Sequence, residues 1–210
     1  MAAMSRHPDE TRRKILEAAL WEMYRHGFKG ASIDRLLDGT GLTKGALYHH
    51  FPNKLQLGYA VVDEVIGPWI HERWIEPLEQ GDNPIDALAL GLRRALEHSP
   101  EEMIHGGCPL NNLAQEMAGL DEGFRVRVEA VLETWRSAIA SHLARGQQQG
   151  HVRTDLDPAA TAAFLVSSVE GIAGTAKSSK DIQFARQIAA VLESFIESLR
   201  PLSRSALTAS

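Results

Sequence analysis

Apolar residues recur three and four positions apart along most of this chain, the spacing of one face of an α-helix. Leu16, Ala19, Leu20 and Met23 form the first such stripe and predict a helix over 11–25, terminated by Gly27. Ile33, Leu36 and Leu37 predict a short second helix behind Ser32, whose hydroxyl can accept one of the unpaired N–H groups that open a helix. Gly39-Thr40-Gly41 breaks it, and glycine there permits the positive φ of a sharp helix-to-helix turn. Thr43 is placed to cap the next helix, in which Leu47 and Phe51 (i, i+4) point inward. Pro52-Asn53 ends that helix and caps its successor, with Gln56 at the capping-box position. The successor is predicted to run to about Ile66 and to kink or break at Gly67-Pro68, because a proline inside a helix removes a hydrogen bond and clashes with the preceding turn. Trp69 to Glu76 forms a further segment, ending at Pro77.

The same signals continue. Asn83-Pro84, Cys108-Pro109 and Asp157-Pro158 predict helices over about 84–98, 109–117 and 158–177. Asp121 caps a long helix to about Gln148, with Phe124, Val128, Val131, Leu132, Trp135, Ile139 and Leu143 on its apolar side, and Asp181 caps a last one to about Leu199. The polar stretch up to Lys14 reads as a disordered arm, and residues from Pro201 on as a flexible tail. No strand pattern competes. The pattern defines an all-α chain of about nine helices. It divides into a helix-turn-helix headpiece over 1–56, a helical body over 57–200, and a flexible tail over 201–210.

Charge changes this picture. With 22 Lys and Arg against 27 Asp and Glu, the chain is acidic overall, which alone argues against nucleic acid. Residues 1–56, however, hold nine basic and six acidic residues, net +3, and the remainder is net −8. A positive end on an acidic body is the asymmetry expected when one end meets phosphate. One cysteine excludes an intrachain disulfide framework and fits a reducing cytoplasm. No signal peptide opens the chain and no run approaches the ~18 apolar residues of a membrane span.

The outer side of the third helix carries Lys44, Gly45, Tyr48 and His49, with His50 at its flank, a set suited to phosphate and base-edge contacts. TKGALYHHFPNK, preceded by ASIDRLLDGTG and TRRKILEAALWEMYRHGF, resembles the DNA-binding headpiece of the TetR family of transcriptional regulators. The resemblance covers about Arg6 to Leu57 and is architectural beyond it. Leu37 departs from it, standing where such units usually carry a small residue, and is expected to splay the two helices slightly. The resemblance implies a homodimer on a palindromic double-stranded DNA operator, with 57–200 as the ligand-binding and dimerisation domain and a small-molecule effector releasing a repressor. Ser32, Thr43, Lys44, Gly45, Tyr48, His49, His50 and Lys54 are the expected DNA contacts, and Arg12, Arg13 and Lys14 could reach the backbone or form a solvated charged face. The helix from Asn53 would carry effector-induced motion to the headpiece.

In the body, Trp69, Trp74, Met103, His105, Cys108, Asn111, Asn112, Met117 and Trp135 lie on helices that, in the family, surround the ligand cavity; each alone reads better as core, whereas the group reads as a cavity. Small residues after Pro158 (Ala159, Ala160, Ala162, Ala163, Ser167, Gly171, Ala173 and Gly174) suit close packing with the Ile182 to Leu199 helix and half of an intersubunit four-helix bundle. The segment HERWIE, from His71, lacks the second histidine of a zinc-protease pair, and the nine histidines show no metal-ligand spacing. Neither enzyme activity, a metal nor a cofactor is expected. Cys108 sits near a helix start, where dipole and free N–H groups favour thiolate. A thiol-based redox or electrophile sensor acting through Cys108 is therefore an alternative, and a helical ligand-binding protein without a DNA role is another.

Overall fold

In a computed structural model describing residues 8–97 and 105–201, every regular element is helical and no strand occurs among the described residues. Helix α1 spans Pro8–Gly30, α2 Ile33–Leu37 and α3 Lys44–His50. The chain then stays helical from Lys54 to Gln80 as α4 (Lys54–Val61), a π turn (Val62–Ile66), α5 (Gly67–Ile70), a second π turn (His71–Ile75) and α6 (Glu76–Gln80). It continues with α7 (Pro84–Glu97), α8 (Pro109–Met117), α9 (Glu122–Gln149), α10 (Pro158–Ser179) and α11 (Ile182–Ser198). With the 54–80 run counted once, nine helices have both ends among the described residues. The arm before Pro8 and the tail beyond Pro201 lie outside them.

Two expectations need correction. The break at Gly67-Pro68 does not occur. The N–H of Gly67 reaches the carbonyl of Val62, and that of Glu76 reaches His71. Each bond spans five residues and each donor immediately precedes a proline, Pro68 or Pro77. A π turn carries one more residue than an α turn, which moves the carbonyls a proline ring would strike and keeps the backbone bonded. Helix α1 also starts earlier than predicted, at Pro8, so residues 8–14 of the expected disordered arm are helical. Gly27, at φ 72 and ψ 166, interrupts it, and a short helical stretch resumes to Gly30.

The chain packs as two compact units. The first takes residues up to Trp69 together with Pro109–Glu129. Its core joins Ile15, Leu16, Ala19 and Met23 to Leu36, Leu47, Phe51, Leu57, Val61, Leu110, Leu113, Met117, Phe124 and Val128. A Cβ on Gly58 would lie 2.6 Å from the Phe28 ring and 2.7 Å from the Phe124 ring, so glycine lets α4 close on both aromatics. Glu116 accepts the N–H groups of Phe28 (2.7 Å) and Lys29 (2.8 Å), which Gly27 leaves without helical partners. The hydroxyl of Tyr59 donates to Asp121 (2.6 Å), whose carboxylate also caps α9 at the Phe124 N–H (2.9 Å).

The second unit takes Ile70–Cys108 and residues from Ala130 on. Here α7, α10, α11 and the later part of α9 enclose Leu78, Ile85, Ala89, Trp135, Ile139, Leu143, Leu165, Val166, Leu192 and Ile196. Asn83 caps α7 through the N–H two residues on, and Asp157 and Asp181 cap α10 and α11 through those two and three residues on. By length and composition α10 could cross a membrane, contrary to the expectation that no run comes close. Its apolar content is largely Ala and Gly, and Ala162, Leu165, Val166, Ile172 and Ala176 are buried in the fold.

Candidate nucleic-acid interface and body cavity

Helix α3 has seven residues, too few to be stable in water alone. Leu47 and Phe51, 0% and 2% exposed, fix it to the core, each worth about 2 kcal/mol of burial. Gly39 and Gly41, at φ 74 and 68, supply the turn. Thr40 stiffens it, its hydroxyl donating to the Leu37 carbonyl (2.8 Å) and accepting from the Leu42 N–H (3.1 Å). Thr43 Oγ1 accepts the Ala46 N–H (3.2 Å), the expected cap.

This scaffold leaves Thr43, Lys44, Gly45, Tyr48 and His49 exposed together. Tyr48 is 47% exposed, unusual for an aromatic residue whose neighbour Leu47 is fully buried. His50 is half-buried, with its ring near those of His49 and Phe51. No side chain obstructs Gly45, where an added Cβ would meet only Thr43 Oγ1 at 3.8 Å. Lys44 is not solvated alone: its ammonium lies 2.6 Å from the Asp34 carboxylate across the turn, which raises its pKa.

Other expected residues are placed differently. The Ser32 hydroxyl makes no capping bond; the Ser32 N–H donates instead to Glu22 (2.8 Å). Burial pushes the Glu22 carboxyl up, but that N–H and the Arg35 guanidinium outweigh it and hold the group below its ordinary value. Lys54 turns inward. Two of its three donors go to the carbonyls of Lys29 (3.1 Å) and Ala31 (2.6 Å), and its ammonium lies 5.0 Å from the Phe28 ring centre. It closes the end of α1, and burial lowers its pKa. Arg12 likewise grips Glu64 with two hydrogen bonds and covers the Phe51 ring at 4.4 Å, while Arg13 and Lys14 pair with Glu17 and Glu10.

In the second unit a small apolar cavity is lined by Trp74, Leu88, Leu92, Trp135, Ile139, Leu165, Val169, Leu192 and Ile196. Of the residues expected to line a pocket, Trp74 and Trp135 meet here, their rings stacked at 5.2 Å and 28°. Trp69, Asn111, Asn112 and Met117 belong to the first unit, where Met117 is core; Met103 lies outside the described residues. His105 and Cys108 are half-buried in the second unit and do not line this cavity. Sequence reasoning missed Leu88, Leu92, Leu165, Val169, Leu192 and Ile196, because aliphatic residues at helical spacing look the same whether they face a void or one another.

Cys108 has neighbours that its sequence surroundings hide. Burial lifts the Glu170 carboxyl to about 7, opposed by a hydrogen bond from Cys108. Arg73 interacts electrostatically with the same thiol group. Arg73 also donates to the Ala95 carbonyl (2.8 Å).

A rigidly anchored second helix, presented outward from a glycine turn in an all-helical chain, defines a helix-turn-helix DNA-binding transcriptional regulator. The chain belongs to the TetR family: residues 15–61 match the bacterial regulatory proteins of the tetR family, and residues 84–199 match the tetracyclin repressor-like C-terminal domain. It is similar to an uncharacterized HTH-type transcriptional regulator in the lacX 3' region of Lactococcus lactis, 32% identical over 133 residues, covering 63% of this chain and 68% of that one. It is also similar to the transcriptional regulator AcuR of Cereibacter sphaeroides, 30% identical over 158 residues, covering 75% and 72%. A crystal structure of a TetR transcriptional regulator from Chloroflexus aurantiacus matches with a TM-score of 0.82 at 27% identity, covering 93% of this chain and 98% of that one. The family favours neither the thiol-sensing regulator nor the DNA-free ligand-binding protein.

Proposed function

We propose that the protein is a cytoplasmic repressor that binds a palindromic operator as a homodimer and leaves it when a small molecule enters the body. The carrying observation is the exposed cluster Thr43, Lys44, Gly45, Tyr48 and His49 on buried anchors. Residues 1–56 serve DNA binding, and 57–200 serve the effector and the second subunit. Lys44 leaves Asp34 to reach a base or phosphate, Gly45 admits the backbone close to DNA, Tyr48 and His50 hold phosphates, and His49 meets a base edge. Two copies of α3 enter successive major grooves ~34 Å apart. The effector acts through its differential affinity for the conformation whose half-sites no longer match the operator.

The test is a gel shift on the chain's own upstream DNA, or on a sequence recovered by random selection, at two salt concentrations. The wild type should shift specifically and more weakly at higher salt. A Lys44→Ala, Tyr48→Ala variant should lose at least tenfold in affinity while retaining its oligomeric state. Undiminished binding by that variant would defeat the assignment of this face.

A further inference from the structure

We infer that Asp34 is a specificity-determining residue for operator recognition: its carboxylate holds Lys44 back from the phosphates of unrelated DNA and gives it up where a base edge offers acceptors. The inference rests on the reading of the α3 face as the DNA contact and assigns a role to a residue of the preceding helix.

Asp34 is the second residue of α2 and Lys44 the first of α3. The turn between them, with Gly39 and Gly41 at positive φ, brings the two helix starts together and sets the ammonium 2.6 Å from the carboxylate. Both side chains are exposed, so the pair stands at the surface within the recognition face. The first turn of α3 carries no acidic residue, and the helix dipole there disfavours a cation. Asp34 supplies from α2 the negative charge that α3 lacks.

The pairing is general in the headpiece. Arg12, Arg13, Lys14 and Arg35 meet Glu64, Glu17, Glu10 and Glu22, and Lys54 turns inward. The net +3 of residues 1–56 therefore overstates the charge offered to phosphate. Of these pairs, Lys44 with Asp34 is the one whose cation belongs to the exposed cluster of α3.

Non-specific binding is electrostatic and grows with the number of phosphates neutralised. A pair of zero net charge neutralises none, and its carboxylate repels a phosphate brought close. A guanine edge differs, since its O6 and N7 both accept from a lysine and carry no full charge to repel Asp34. The pair thus weakens binding to unrelated DNA more than binding to the operator, which is specificity gained by penalising the wrong partner. An exposed ion pair is weak enough for the operator to open it.

The test uses the full-length protein, an operator duplex recovered by random selection and a scrambled duplex of the same composition. Fluorescence anisotropy follows both over a series of salt concentrations. Asp34→Asn, which keeps shape and removes charge, should bind the scrambled duplex about fivefold more tightly at low salt, and its logarithmic salt slope should steepen by about one. Its operator affinity should rise less than twofold, so the ratio of the two affinities falls. Asp34→Glu should behave as the wild type. In a Lys44→Ala background the effect of Asp34→Asn on the scrambled duplex should vanish, because the carboxylate acts through that lysine. Equal gains on both duplexes, an unchanged slope, or a gain that persists in Lys44→Ala would each overturn the inference. The reading of the α3 face is tested apart from it: undiminished operator binding by the Lys44→Ala, Tyr48→Ala variant sinks that reading and this inference together, whereas the Asp34 variants alone leave that reading intact.

Discussion

Burial works hardest on Glu170. Loss of hydration raises its carboxyl to about 7, and the Cys108 hydrogen bond offsets this only in part. A folded-state value above the ordinary 4.5 means that the native protein holds this proton more tightly than the unfolded chain does. The stability this contributes is complete below about pH 4.5 and lost as pH rises through about 7, an effect of up to about 3 kcal/mol. Glu170→Gln should remove that slope. Urea melts at pH 5 and pH 8 should show the wild type losing more stability than the variant on going to the higher pH; equal losses would show the carboxyl is not held neutral. At this scale the sequence was legible only nearby. Thr43, Asn53, Asp121, Asp157 and Asp181 cap helices as read, because each partner lies two or three residues on. Lys54 and Glu116 are not placed by the sequence, and Arg12 is left open between DNA and a charged face, because their partners lie 23 to 88 residues away.

Among elements, helix starts were legible and the long interior run was not. Proline after Asn or Asp marks a first helical turn because the missing N–H has no intrahelical role there. Asp157→Ala would leave the N–H groups of Ala159 and Ala160 without their cap, costing about 1 kcal/mol. For a chain of this size that is a fall of roughly 2–4 °C in Tm by calorimetry. Asp157→Asn should keep most of the loss from appearing, since its carbonyl oxygen can still accept. Pro68 and Pro77 carry the opposite signal, that of a break. What the pattern could not disclose is that the turn before each has room for a bond five residues long.

At the scale of the whole molecule, charge asymmetry and an unfilled apolar face point in one direction. Helix α11 has two apolar sides. Ala185, Ala189, Leu192 and Ile196 are buried within the fold, whereas Phe184 and Val191 are exposed, Val191 by 70%. Ile188 and Phe195 continue that outer stripe half-buried, and Phe164 of α10, 51% exposed, meets the Phe195 ring. A second copy presenting the same stripe would close a four-helix bundle, as the small residues of α10 suggested. Val191→Glu should therefore raise the dimer dissociation constant at least tenfold in sedimentation experiments, and operator affinity should fall with it. A dimer undisturbed by that charge would move the interface elsewhere. The all-helical class and the regulator family were legible because the headpiece motif is compact in sequence. The inner and outer faces of α11 were not separable, since both are apolar.

The two π turns bear on how relatives should be read. Each is equivalent to a single-residue insertion accommodated without loss of backbone bonding. A relative with a regular helix over this stretch should align only if a one-residue gap is opened within each of 62–66 and 71–75. Ungapped alignments would shift positions after the first turn by one and those after the second by two, so pairing Trp74 with its counterparts depends on placing those gaps first.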